Sequence, residues 1–229
     1  DLGHPTGWER VGHLRLYERH HDVGAAEARA WAQGEAGIET YHLDREGARE
    51  IEPGLSDVVL GALHCPNDGV ADHSATTAGY AAQAREAGVV IREGAVVSAV
   101  EVTGGRAATV VLAGGERIAV RGDLLLLNNT GVGPLVSASF GRSLPVWKIF
   151  PQAMCTDPVA EPPFRSLFGH AHRPLALKMV PGGAVMASGG WRGRWNPERG
   201  EGEALPDAVS GNWAEAVRVF PVLEDLEPR

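Results

Sequence analysis

Apolar and polar positions alternate from Arg10 to Glu18, predicting a strand. Val23, Ala26, Ala30 and Trp31 then recur at helical spacing, with Gly37 as the stop. Asp44 is placed to cap a short helix from Arg45 to Ile51, which Pro53-Gly54 ends. Leu60 to Cys65 reads as a strand running into the turn Pro66-Asn67-Asp68-Gly69. Asp72 stands at an N-cap position, and Tyr80, Ala84 and Ala87 line one side of a helix closed by Gly88. Four short strands are expected next, over 89–92, 95–103, 107–113 and 116–120. The turns Gly104-Gly105 and Gly114-Gly115 set the last two off as hairpins. Leu124 to Leu127 is a continuous apolar run, the pattern of a central strand covered on both faces. Longer strands are expected over 146–156, 175–180 and 184–188, the last two joined at Pro181-Gly182-Gly183. A helix over 210–220 places Trp213, Val217 and Phe220 on one side. The chain is expected to be two interleaved units, with 66–142 in one and the flanking segments in the other.

Composition narrows the classes. The chain has 229 residues, 44% hydrophobic and 22% charged, as in ordinary globular proteins. The net charge of -8 lacks the basic face that nucleic acid or an anionic membrane surface requires. No apolar run approaches the roughly 18 residues that span a bilayer. Asp1-Leu2-Gly3-His4-Pro5 is not a signal peptide. Cys65 and Cys155, with no C-x-x-C companion, are expected to be reduced and buried, pointing to a cytoplasmic protein. No internal repeat occurs.

Candidate chemistry lies at two places. Asn128, Thr130 and Gly131 follow the leucine run, and ends of parallel strands are where open α/β sheets hold ligands; a purely structural turn would use the same small residues. No Gly-x-Gly-x-x-Gly turn precedes them. His170, His172 and Lys178 share parity with Ala176, so one strand would send all three to one face unless Pro174 breaks the register. Histidine titrates near neutrality and could tune an amine or a cofactor; a solvated edge would also use these residues. Arg173 could clamp a carboxylate through its planar fork, and in a regular strand it would point away from His172. His170-x-His172 has no third metal ligand at sensible spacing, so no metal is expected. Trp191 and Trp195, beside basic residues, suit either a lid or a plain surface loop.

The order of short motifs resembles the D-amino-acid oxidase superfamily of flavoproteins. The matching stretches are Pro5-Thr6-Gly7-Trp8 with Gly12-His13-Leu14-Arg15-Leu16, then Glu52-Pro53-Gly54-Leu55 and Gly61-Ala62-Leu63-His64. Pro66 to Asp72, Glu93-Gly94-Ala95-Val96-Val97 and Asn128-Asn129-Thr130-Gly131 follow. Phe150-Pro151-Gln152 with Gly169 to Leu175 is most similar to β subunits of heteromeric sarcosine, opine or proline oxidoreductases. The resemblance departs at Gly131-Val132-Gly133, where relatives place a tryptophan after the glycine.

The resemblance implies a mixed α/β fold (α+β): the middle part of a flavin-binding α/β domain interleaved with an antiparallel-sheet substrate domain. On it, 1–65 and 143–229 form the substrate domain and 66–142 is the remnant of the FAD-binding domain, the family's other two flavin-binding stretches lying outside this chain. FAD is the implied cofactor, with Val97 presenting backbone to the adenine; a plain core valine is the other reading of Val97. The implied reaction is hydride transfer from the C–N bond of an amino acid or secondary amine. Implied partners are that small substrate and partner subunits of a heteromeric oxidoreductase. A cofactor-free binding or accessory domain on the same scaffold is the competing expectation.

Overall fold

The computed structural model describes residues 3–229. In chain order the elements are β1 (His13–Tyr17), α1 (Asp22–Glu35), β2 (Tyr41–Asp44), α2 (Arg45–Ile51), β3 (Gly61–Cys65) and α3 (His73–Glu86). Next come β4 (Val97–Thr103), β5 (Arg106–Leu112), β6 (Arg117–Ala119) and α4 (Val132–Phe140). The last are β7 (Met154–Cys155), β8 (Leu167–His170), β9 (Ala176–Val180), β10 (Ala184–Ser188), β11 (Arg194–Asn196), β12 (Glu201–Glu203) and α5 (Pro206–Val219). Two compact units result: the chain up to Ala82 with Phe150–Arg229, and Gln83–Ile149. The second unit thus begins later than residue 66, because the turn after β3 and most of α3 stay with the first.

The first unit holds a seven-stranded sheet in the order β2-β3-β1-β8-β9-β10-β7. β1 pairs with β8 in parallel and with β3 antiparallel, so segments 154 residues apart in sequence share one mixed sheet. Alternation gives each strand a buried side. Leu14 and Leu16 of β1, Phe168 of β8, Leu177 of β9, and Val185 and Ala187 of β10 all enter one core with Ala216, Val219 and Phe220. Phe164, Phe168 and Phe220 pack ring against ring, with centroids 4.8–5.2 Å apart. Each such side chain contributes about 1.5–3 kcal/mol on leaving water. The opposite face carries His13, Arg15, Gly169, Ala176, Lys178, Met186 and Ser188, all only half-buried. There α1 covers one end, packing Ala26 against Tyr17 and Leu63.

Local chemistry explains the element ends. Asp44 accepts the Gly47 amide at 2.9 Å and Asp72 the Ala75 amide at 2.8 Å, each satisfying an orphan N–H of a helix start. Pro206 opens α5 where no donor is required. Gly182 and Gly183 turn between β9 and β10 at φ 94° and 86°.

The second unit is the meander β4-β5-β6 with α4. Here two expectations fail. Leu124 to Leu127 is not a strand: Leu125 is 77% and Leu127 86% exposed, and Leu124 and Leu126 are half-buried. A four-leucine strand needs hydrogen-bonding neighbours on both edges, and none pairs with it among the described residues. Val89 to Arg92 is likewise extended chain outside any sheet, with Val90 exposed.

Two further corrections concern side chains and strand length. The strand expected over 146–156 shrinks to Met154–Cys155, because Pro145 and Pro151 remove ladder donors and Trp147 and Ile149 lie exposed. Tyr80 faces solvent on α3, where Gly79 is buried instead. Cys65 and Cys155 are free thiols, but half-buried rather than enclosed.

Candidate functional site

The histidines and the lysine grouped by parity lie on opposite faces of the sheet. Phe168 pairs with Leu177, so His170, two residues after Phe168, points with them into the core side. Lys178, one residue after Leu177, points to the other side. Ala171 to Leu175 is a loop between β8 and β9, and it resets the alternation. His172 and Arg173 stand in that loop, so the opposed-face expectation for a regular strand does not apply to them.

The loop residues join an internal ion cluster. Glu18, at the end of β1, has a side chain only 5% exposed and receives Arg173 Nε at 3.1 Å and the Arg218 guanidinium. Arg173 also donates to both Glu215 oxygens, at 2.9 and 3.0 Å. His170 Nε2 lies 3.3 Å from Glu18 Oε1, and His172 Nδ1 lies 3.0 Å from Asp22 Oδ2. Burial pulls His170 down to about 4, against the opposing pull of Glu18, so it is neutral at pH 7. Burial pushes Glu18 up, but the Arg218 hydrogen bond and the Arg173 charge outweigh it and leave its carboxyl below the usual range. Arg173 is therefore spent on internal carboxylates rather than offered as a clamp.

Glu18, His170 and His172 bring three potential metal-ligand atoms within 4.8 Å of one another, a third ligand absent from the sequence spacing. The hydrogen bonds argue for a proton, not an ion. His170 Nδ1 accepts the backbone amides of His172 and Arg173 at 3.3 and 3.2 Å. Its neutral ring must then carry hydrogen on Nε2, 3.3 Å from Glu18 Oε1, leaving no free lone pair. Two guanidiniums on Glu18 add to the repulsion of a cation. The cluster pins the β8–β9 loop.

The open sheet face presents the other chemistry. Lys178 and Glu9 line two adjoining clefts of about 230 and 240 Å³, with Val70 and Met179 common to both. Arg15 stands opposite Gly169, Gly169 opposite Ala176, and Ala176 opposite Ser188, forming one row across four strands. A Cβ on Gly169 would meet His13 Nε2 at 3.2 Å, so the His13 ring covers Gly169 and leaves no room for a side chain there. A wider concavity, about 770 Å³, borders Tyr17, His42 and α2. Its arginines are already used: Arg45 Nε donates to Val59 O, and Arg49 donates to Leu55 O and pairs with Asp57.

In the second unit Val97 begins β4 beside a register shift and is 40% exposed, which rules out the plain core valine. Asn128 and Gly131 are exposed and Thr130 half-buried, and they flank the short helical turn Asn129–Gly131 that leads into α4. Asn129 adopts φ 50°, tolerable for an asparagine. No side chain caps α4; the preceding helical turn does, with the Val132 amide donating to Asn129 O, and Pro134 has no amide to offer. A glycine-rich strand–turn–helix for a pyrophosphate is not found among the described residues, and no helix among them is long and apolar enough to cross a membrane.

A mixed sheet interrupted in sequence by a smaller α/β unit is a fold shared with several solved structures. The L-proline dehydrogenase of P. horikoshii matches all of this chain and 60% of its own, at TM-score 0.84 and 20% identity. Glycine oxidase from Bacillus cereus matches at TM-score 0.78 and 17% identity, again over 100% of this chain and 60% of that one. The family model for FAD dependent oxidoreductases matches residues 1–229, and the chain belongs to that family. It is similar to the D-amino acid dehydrogenases of Rhizobium rhizogenes (30% identity over 154 residues) and Sinorhizobium medicae (31% over 153). Those alignments cover 66% of this chain and 36% of each relative, so the chain spans well under half the length of the curated relatives it matches.

Proposed function

We propose that this chain is part of an FAD-dependent enzyme that oxidises the C–N bond of an amino acid or secondary amine. Bound FAD would accept a hydride from the carbon carrying the amine. The Val97 backbone, Asn128, Thr130 and Gly131 would hold part of the cofactor. The open sheet face, with Lys178, would orient the substrate and keep water from it, which is most of what a protein adds to such a reaction. His170, His172 and Arg173 would act from behind this face by fixing the β8–β9 loop.

The observation that carries this reading is the half-buried face bearing Lys178 and Arg15 on a sheet whose other face is a closed apolar core. Partner subunits of a heteromeric oxidoreductase belong to the same proposal. The test is anaerobic mixing of the intact FAD-loaded protein with D-amino acids, glycine, sarcosine, proline and opines. At least one should bleach the flavin. An intact protein that binds no FAD would instead favour the cofactor-free accessory domain.

A further inference from the structure

Asp68-Gly69 is the only Asp-Gly pair in the chain, and no Asn-Gly pair occurs. It closes the turn that follows β3. The Gly69 amide donates to Oδ1 of Asp68 itself, at 2.8 Å. The carboxyl carbon is one bond from that oxygen, so the fold holds nitrogen and carbon close together, as a near-attack geometry requires. Glycine adds no side chain to screen its nitrogen, and packing keeps this position a glycine. A Cβ there would collide with the Glu9 carbonyl. The Asp68 side chain is 47% exposed, so water reaches the carboxyl. The backbone on either side is tied down. Gly12 N donates to Asp68 O at 2.9 Å, and Glu9 and Val70 exchange two backbone hydrogen bonds at 2.9 and 3.0 Å. Glu9 and Val70 also line both clefts that hold Lys178.

We propose that Asp68-Gly69 is a self-modification site, at which the folded protein forms isoaspartate. The Gly69 nitrogen attacks Asp68 Cγ. A C–N bond forms and one Cγ–O bond breaks. That oxygen leaves as water, with the amide proton and the carboxyl proton. The product is a five-membered cyclic imide. Water then opens the ring at either carbonyl, restoring aspartate or leaving the main chain running through Cγ. No reactant other than water takes part. In the isoaspartate the main chain is one methylene longer. The free carboxylate then starts at Cα, away from its place 3.6 Å from His13 Nδ1. The added length sets the Gly12–Asp68 hydrogen bond out of register with the Glu9–Val70 pair, and unpaired backbone groups cost stability. The shared wall of the Lys178 clefts therefore loosens as the protein ages. The inference follows from the turn alone and does not depend on the oxidoreductase reading.

The test incubates the intact protein for weeks at neutral pH beside a free peptide spanning the turn from Leu63 to Ala75. Enzymatic methylation of isoaspartyl carboxylates and peptide mapping with electron-transfer fragmentation locate the product. Circular dichroism confirms that the protein stays folded meanwhile. A species lighter by one water, and then isoaspartate at residue 68, should appear in the folded protein no more slowly than in the peptide. Asp68→Asn should accumulate the same product faster, because ammonia leaves an amide more readily than water leaves a carboxylate. Asp68→Glu should abolish it, because the ring would have to be six-membered. The thermal midpoint should fall as the modified fraction grows. The site is overturned if the peptide converts while the folded protein keeps aspartate at residue 68. It is also overturned if isoaspartate collects at other aspartates instead, or if the Asp68→Glu turn still takes up methyl groups. An unchanged midpoint in converted protein would overturn the loosening of the Lys178 clefts.

Discussion

His170 Nε2 and Glu18 Oε1 lie 3.3 Å apart, and the His170 side chain is wholly enclosed. A neutral histidine there faces a carboxylate already held by Arg173 and Arg218. This gives stability a definite pH dependence. The folded His170 titrates at about 4, below its ordinary 6.5, so between those values the unfolded chain binds more protons. Stability must therefore fall as pH drops through that window. Between pH 7.5 and pH 5 the His170 share of the loss is about 2 kcal/mol. Asparagine at this position keeps an acceptor for the two loop amides and cannot titrate. In urea melts at both pH values, His170→Asn should lose about 2 kcal/mol less than the wild type; equal losses would refute the assignment.

Glu18 is the hub of the cluster and Glu215 a rim partner, with side chains 5% and 20% exposed. Glu18→Gln leaves two partly hydrated guanidiniums without their carboxylate and should cost about 2–3 kcal/mol. Glu215→Gln removes one half-exposed partner and should cost less than about 1 kcal/mol. Denaturant midpoints should rank the two variants in that order.

Gly189 adopts φ 122°, and a Cβ there would collide with the Leu175 backbone. Gly105, at φ 78°, has nothing within 4 Å of such a Cβ. Gly189→Ala should therefore cost at least about 2 kcal/mol, and Gly105→Ala about 1 kcal/mol. Comparable thermal shifts for the two would show that strain alone, and not the collision, governs Gly189.

In the 229-residue chain, Leu125→Asp should change stability by no more than about 0.5 kcal/mol, because Leu125 faces water. Leu126→Asp should cost more, since Leu126 is half-buried in a hollow with Leu124 and Phe140. A central strand covered on both faces would make both variants fail to fold, as measured by circular dichroism.

Lys178→Met should impair flavin reduction by the substrate in the intact protein, and His172→Asn should leave it within about threefold. The lysine lies on the open face, and His172 stands within the β8–β9 loop beside Asp22. Stopped-flow reduction rates decide it: a silent Lys178 with an essential His172 would reverse the two faces.

What was legible in the sequence was local. The caps at Asp44 and Asp72 involve amides three residues away, and Pro181-Gly182-Gly183 closes a hairpin between neighbours. The resemblance carried the flavoprotein fold because many weak motifs kept their order. The leucine run was misread because a continuous apolar stretch becomes a strand only when other strands accept its backbone. Lys178 was assigned the wrong neighbours because strand parity does not survive a loop. Glu18 escaped notice since its partners Arg173 and Arg218 are 155 and 200 positions away, and no spacing rule reaches so far.

The uncovered leucines have a colloidal consequence. Leu125, Leu127, Val90, Trp147 and Ile149 all present large apolar surface to water within one small unit. Each alone is unremarkable, but together they make neighbouring molecules adhere. A concentrated solution of this polypeptide should scatter light at concentrations where a well-coated domain of the same net charge stays clear. Its handling will be governed by these side chains rather than by the melting of its core.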